Sequence, residues 1–307
     1  MAPSNDVAIR HVGSSTIDRA AVLERKGRQT VSVCIPCRDE AATIGSLVSL
    51  IRSELLAPGA VFVDELIVVD DRSTDDSART AADAGAKVVS ITDVHVEHGD
   101  GHGKGNVLWA SLLASHGDIV VWLDADVTSF EADWVIRLAQ PLLDDQTLAM
   151  VKARYHRPTN YGGGGRTTEL VARPLISRLY PTLAGLAQPL SGEYAARRSV
   201  LESLPFVQGW GVEMGLLIDI ERRLGAAAIG EVDLGSRLHR HRSLTSLSVQ
   251  AAEVMSTMLD RAGIDADSDE QVLRRADGSI VPLNLDERPP VRDVRNERRG
   301  RLGEVAS

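Results

Sequence analysis

Val120-Val121-Trp122-Leu123-Asp124-Ala125-Asp126 is an apolar run, long enough for a buried strand, that stops at two carboxylates one residue apart. Side chains alternate along an extended chain, so residues two apart project together. Asp124 and Asp126 are therefore expected to aim at one point beyond a strand's carboxyl end, where open α/β sheets receive their ligands. Paired hard oxygen donors there suit Mg²⁺ or Mn²⁺ carrying a diphosphate. A helix cap followed by a solvated turn acid is the plainer alternative for such a triplet.

The same rhythm runs through the rest of the chain. Val31 to Pro36, Leu66 to Asp70, Lys87 to Ile91, Leu148 to Ala153 and Ala227 to Leu234 read as strands. Helical patterns cover about Asp39 to Leu56, Thr74 to Ala84, Ala132 to Leu143, Thr168 to Tyr180, Glu193 to Leu204, Val212 to Leu224 and Leu247 to Leu259. A Gly/His-rich loop, His98 to Gly105, leads into a further helix through His116, and a short one is expected from Ile17 to Lys26. Strands alternating with helices predict βαβ units and a mostly parallel sheet flanked by helices. The division is a polar extension over 1–30, one domain over 31–264, and a charged, Pro-containing tail over 265–307 that is mobile or wraps the surface.

The 307 residues, 43% of them apolar, allow a substantial core. No run approaches the ~20 apolar residues of a membrane span, and Met1 to Asp6 does not begin a signal peptide. A cytoplasmic protein with no membrane partner is expected. A net charge of −9 argues against nucleic-acid binding. Cys34 and Cys37 form C-x-x-C, but Cys34 falls inside a strand pattern instead of at a helix start, so packing is favoured over redox chemistry.

Polar clusters follow the other strands too. Pro36-Cys37-Arg38-Asp39-Glu40 would make a rim for a flat base, or an ordinary strand–helix connection with Asp39 as cap. Asp70-Asp71 could accept hydrogen bonds from a ribose or a pyrimidine N–H, or simply end a strand before Ser73 or Thr74 caps a helix. In Gly99 to Gly105, glycines let backbone N–H groups approach an anion, with Lys104 pointing at it from a helix start. It is not a Walker loop, since Gly105 stands where Ser or Thr would meet Mg²⁺. Gly162 to Gly165 either delivers Arg166, whose planar fork suits a phosphate, or is a loose surface loop. Thr168 would then open a helix whose N–H groups and dipole favour an anion. Glu213 sits at another helix start, where an acid is stabilising in any case. His239 and His241, two apart, face the same way if extended.

In order, Pro-x-x-Asp-Glu, Asp-Asp-x-Ser, Gly-Lys-Gly and Asp-x-Asp resemble the strand ends of a nucleotide-sugar glycosyltransferase of the GT-A fold. Gly162 to Pro174, Gln188 to Ala195, Gly209 to Gly215 and Arg237 to Arg242 resemble, more narrowly, the actinobacterial glucosyl-3-phosphoglycerate synthase family, over about Val31 to Ile264. The resemblance implies a nucleotide-sugar half over 31–128 and an acceptor half over 129–264. It implies transfer of glucose from a UDP- or GDP-linked donor to the 2-hydroxyl of 3-phosphoglycerate, with retention. It assigns the donor to Pro36, Cys37, Arg38, Glu40, Asp71, Lys104, Asp124, Ala125, Asp126, Leu190, Trp210 and Arg237. Gly165, Arg166, Thr168 and His241 take the acceptor, and Asp126 and His239 the Mg²⁺ or Mn²⁺ ion. Asp126, Lys104 and Glu213 are the implied catalytic groups, and a homodimer is implied. Two positions depart from the family: His241 stands where relatives carry Asn, and Asp71 where the second acid is replaced. The rival readings are a mannosyltransferase using the same acceptor, a nicotinamide-dependent oxidoreductase and a non-catalytic UDP-sugar-binding protein. The oxidoreductase needs a glycine-rich first turn, which Pro36 to Glu40 is not.

Overall fold

The computed structural model describes residues 9–13, 16–59, 61–156, 165–237, 243–264 and 270–297. In chain order the elements are β1 (Arg10–His11), α1 (Arg19–Lys26), β2 (Val31–Cys37), α2 (Ile44–Leu55), β3 (Glu65–Asp70), α3 (Ser77–Asp83) and β4 (Lys87–Ser90). Next come α4 (Ile91–His98), α5 (Lys104–Ala114), β5 (Ile119–Trp122), α6 (Asp133–Asp144), β6 (Met150–His156) and α7 (Arg173–Leu179). The chain continues through β7 (Tyr194–Arg197), α8 (Arg198–Leu201), β8 (Phe206–Val207), α9 (Val212–Leu224), β9 (Ile229–Ser236) and α10 (Leu244–Arg261). Three short strands follow, β10 (Val272–Arg274), β11 (Ile280–Pro282) and β12 (Glu287–Arg288).

β2 is apolar on both faces and buried at six of its seven positions, so it needs cover above and below. Val33 and Ile35 enter one core while Cys34 enters the other, as a period of two requires. The two cysteines thus lie on opposite faces, both unpaired, and burial pushes their thiols up to about 11 and about 12, away from reactive thiolate. The main sheet has the order β1-β9-β6-β7-β5-β2-β3-β4. Its strands run parallel except β7, which is antiparallel to both β5 and β6.

That reversed strand corrects one sequence-based element. Glu193 to Leu204 reads as a helix because it is rich in Ala and charge, yet Tyr194–Arg197 pairs residue for residue with Ile119–Trp122, and only Arg198–Leu201 is helical. Backbone pairing in mid-sheet outweighs a weak intrinsic preference. A second correction concerns the acids: β5 ends at Trp122, so Asp124 and Asp126 stand on the turn after the strand, not on it. A third concerns 166–179, where the helix begins at Arg166, ahead of Thr168, and passes through a π-helical turn at Thr168–Ala172. π turns often mark functional sites.

The first and last described segments both join the fold. Arg10–His11 adds a parallel edge strand on β9. Residues 270–297 lie against the body as a strap: β12 pairs antiparallel with β8, and the Trp109 indole donates to the Pro289 carbonyl at 2.7 Å. Val291 is fully buried. No helix among the described residues is long and apolar enough to cross a membrane.

Candidate active site

The carboxyl ends of β2, β3 and β5, together with the starts of α5 and α9, segment 165–168 and α10, enclose a cleft of about 480 Å³. Pro36, Cys37, Arg38, Glu40 and Asp71 line one side of it, where β2 and β3 end. Lys104, Asp124, Ala125, Asp126, Glu213 and Arg237 line the middle, with Leu190 and Trp210 beside them. Gly165, Arg166 and Thr168 line it too. His239 and His241 lie outside the described residues.

The middle of the cleft is a cluster of buried charge. Lys104 Nζ is 2.9 Å from Asp124 Oδ1 and 2.8 Å from Glu213 Oε1. Burial works to lower the Lys104 amine, but Asp124 and Glu213 outweigh it and hold it well above its ordinary value. Arg237 Nη2 sits 2.9 Å from Asp124 Oδ2, 3.4 Å from Asp126 Oδ1 and 2.8 Å from Glu193 Oε1. Burial opposes this charge also, and Glu193 leads the acids that keep it fixed. Glu193 is wholly buried, which raises its carboxyl despite Arg237. Each acid here has a cation within reach, the condition for keeping charge out of water.

One guanidinium nitrogen reaches Asp124 and Asp126 together, so the two carboxylates converge even though they leave the strand. Convergent hard oxygens, with Asp126 still 20% exposed to the cleft, fit a small divalent cation. Among the described residues no group of three or more His, Cys, Asp or Glu forms a complete metal set. The further donor that the resemblance implies, His239, lies outside the described residues.

Two residues at the rim take the left-handed conformation without being glycine: Asp39 at φ 55° and Arg72 at φ 58°. Such backbone persists when neighbours over-determine it. The Asp39 carboxylate accepts from Thr74 N at 2.7 Å and its N–H donates to Ser73 Oγ at 3.1 Å, lacing the first two strand-end loops together. Asp39 is therefore a loop tie, and Thr43 holds the position before α2. Asp71 is held by Arg72 at 2.7 Å and lies 3.7 Å from Arg38.

Several liners have no signal in local sequence. Gly192 sits in the turn just ahead of β7, and a Cβ there would overlap the Asp124 carboxylate. Lys152, from β6, is buried behind the cluster, donating to Ser191 O at 2.6 Å and lying 4.0 Å from the Tyr194 ring centre. Burial pulls its amine down to about 7. The glycines of the 99–105 loop also serve packing: a Cβ on Gly105 would overlap the Val207 carbonyl, and one on Gly101 the Arg288 side chain. Gly103, Val107, Tyr155, Thr167, Leu247 and Gln250 complete the wall; near Gly192 the sequence offers only the resemblance carried by Gln188 to Ala195.

The chain matches Glycosyl transferase family 2 over residues 32–204. It is 44% identical to the glucosyl-3-phosphoglycerate synthase of Mycolicibacterium paratuberculosis, over 88% of this chain and 86% of that one. The Petrotoga mobilis synthase is 41% identical, over 83% and 80%. The crystal structure of the Mycobacterium tuberculosis synthase in complex with Mn²⁺, UDP-glucose and phosphoglyceric acid has 41% identity and a TM-score of 0.85, covering 94% of this chain and 99% of that one. The same enzyme has been crystallised with Mn²⁺, UDP and glucosyl-3-phosphoglycerate, and with Mg²⁺ and UDP. A parallel sheet with one reversed strand, acids converging at its carboxyl edge and these likenesses along nearly the whole chain give one answer: the protein belongs to the glucosyl-3-phosphoglycerate synthases of glycosyltransferase family 2.

Proposed function

We propose that the chain transfers glucose from UDP-glucose to the 2-hydroxyl of 3-phosphoglycerate, with retention of the α configuration, releasing UDP. The observation that carries this reading is the convergence of Asp124, Asp126, Lys104 and Arg237 in the cleft that Arg166 and Thr168 also line. Pro36, Cys37, Arg38, Glu40 and Asp71 take the uridine end, and Leu190 and Trp210 flank the sugar. Asp126, with His239, would hold Mg²⁺ or Mn²⁺, which supplies Lewis-acid neutralisation of the leaving diphosphate when bound.

The residues of the chain supply the rest. Lys104 and Arg237 bring fixed positive charge to where negative charge grows, already desolvated before reaction. Glu213, beside Lys104, faces the transferred sugar as a hydrogen-bond acceptor. Arg166 and the main chain at Thr168 clamp the acceptor phosphate so that its 2-hydroxyl meets the anomeric carbon on the face the diphosphate leaves. The departing phosphate oxygen takes the hydroxyl proton, and no protein nucleophile is required. His241 joins the acceptor's contacts, and the chain acts as a cytoplasmic homodimer.

Incubation with 3-phosphoglycerate and UDP-glucose, GDP-glucose or GDP-mannose, each with and without Mg²⁺, tests the reading. Metal-dependent UDP and glucosyl-3-phosphoglycerate from the first donor are expected. Preferred use of GDP-mannose would make it the mannosyl enzyme, and binding without release of UDP would make it a binding protein. Sedimentation in the same buffer reports the dimer.

A further inference from the structure

One buried carboxylate has no part in that chemistry. Glu253, on α10, is 4% exposed, and its two oxygens accept two main-chain N–H groups: Trp210 N at 2.7 Å and Asn284 N at 2.9 Å. Trp210 lines the cleft, and Asn284 lies on the C-terminal strap. From this bridge the strap spreads to both loops of the donor side. Gly209 N donates to Asn284 O at 3.1 Å, and Gln208 N to Asp286 O at 2.9 Å. The Asn284 amide also bonds the His102 carbonyl, two residues before Lys104. Segment 208–209 in turn receives the first N–H groups of α5, Asn106 N on Gln208 O at 3.1 Å and Gly105 N on Gly209 O at 3.3 Å. Arg288 closes the far end, bonding Asn106 and the carbonyls of His98 and Gly99, each at 2.8 Å. The fit leaves no slack, since a Cβ on Gly209 would overlap both Asn284 O and the Glu253 carboxylate.

We propose that Glu253 is a positioning residue: by joining Trp210 to the C-terminal strap, it sets the place of the Trp210 indole and of the Lys104 helix start in the donor side of the cleft. The proposal rests on the reading above for what the cleft binds, not for the geometry. A carboxylate suits the task because both partners donate and both of its oxygens accept, whereas an amide must turn a donor toward one of them. Burying an acid is costly, and here burial raises the carboxyl while the two N–H groups oppose that rise. An apolar residue would fill the same space at lower cost but could not aim the loop.

The test compares the full-length wild type, Glu253→Gln and Asn284→Ala. Trp210 is the half-exposed tryptophan while Trp109, Trp122 and Trp134 are buried, so ligand-free emission, with Trp210→Phe as reference, reports its setting. Glu253→Gln is expected to shift that emission and raise KM for UDP-glucose by about 10-fold, as an ångström-scale misplacement does. KM for 3-phosphoglycerate should stay within about twofold, because the two hydrogen bonds of the bridge end at Trp210 and on the strap, both on the donor side. Asn284→Ala keeps the N–H to Glu253 but drops the tie to His102, and should raise the donor KM by about threefold. A Glu253→Gln protein that melts earlier yet keeps wild-type emission and donor KM overturns the proposal. Should that variant not fold, wild-type donor KM in Asn284→Ala overturns it instead. A wild type that transfers no glucose defeats the proposed function, while the emission shift still decides the role of Glu253.

Discussion

Two buried arginines sit at opposite edges of the same sheet and are held in different ways. Arg198 follows β7 at the edge where the parallel strands begin, and gives its protons to two main-chain carbonyls, Gly117 O and Leu112 O at 3.0 Å, to the Ser115 hydroxyl at 2.7 Å and, at 3.4 Å, to a single carboxylate, Glu202. Arg237 lies at the edge where those strands end, and meets the carboxylates of Glu193, Asp124 and Asp126. Burial pulls the Arg198 guanidinium below its ordinary value, while at Arg237 acids overcome the same burial. Carbonyls cannot leave without unfolding the chain, so the first arginine is a rivet. Carboxylates can exchange a guanidinium for a cation or a ligand, so the second belongs to a site. Polarity at one edge is spent on structure and at the other is kept for exchange.

The contrast can be broken by substitution. Asp126→Ala, at the exchanging edge, should lower kcat by about 10³-fold or more, the scale of losing charge stabilisation in a transition state. Its melting temperature should stay within a few degrees, and retained turnover with unchanged Mg²⁺ dependence would refute the assignment. Arg198→Met should do the reverse, costing about 3 kcal/mol of stability through orphaned buried carbonyls, read from urea melts, with both KM values intact. Arg166→Lys keeps the charge but loses the fork; KM for 3-phosphoglycerate should rise about 30-fold with donor KM unmoved. Competing loss of donor affinity would place Arg166 on the wrong side of the cleft.

The smallest effect is on acid stability. At the structural edge Glu65 is partly buried, which raises its carboxyl, but the Ser32 hydroxyl and the His116 N–H outweigh this and bring it down to about 2. The folded value lies below the unfolded one, so its contribution is complete above the ordinary Glu range and fades as pH falls toward 2. Glu65→Gln should flatten that part of the acid-unfolding curve, measured by urea midpoint against pH. An unchanged slope would remove Glu65 from the edge's stabilising set.

Much of this was legible in order along the chain. The apolar runs located β2, β3 and β5 to within a few residues, because strands buried on both faces need near-continuous apolar sequence. Val212–Leu224 was read with its bounds intact, since Gly225, at φ 82°, stops the helix where a side chain would be strained. Tyr194–Arg197 was not legible: two alanines favour helix locally, and only the open slot between β5 and β6 makes them strand. For the tail, sequence left open whether it is mobile or wraps the surface, and the choice was not legible for a similar reason. The strap's grip comes from Arg288, Asn284 and Pro289 meeting groups some 180 residues away.

Local chemistry thus wrote the elements, the strand-end acids and the kinship with a sugar-transferring family into the order of residues, since those depend on neighbours a few positions apart. Which charges meet was settled by folding alone. Lys104 between Asp124 and Glu213, Arg237 on Glu193, and Glu253 tying Trp210 to Asn284 are partnerships across tens to more than a hundred residues. Electrostatic energy depends on distance and on exclusion of water, and neither is a property of sequence until the chain has closed on itself.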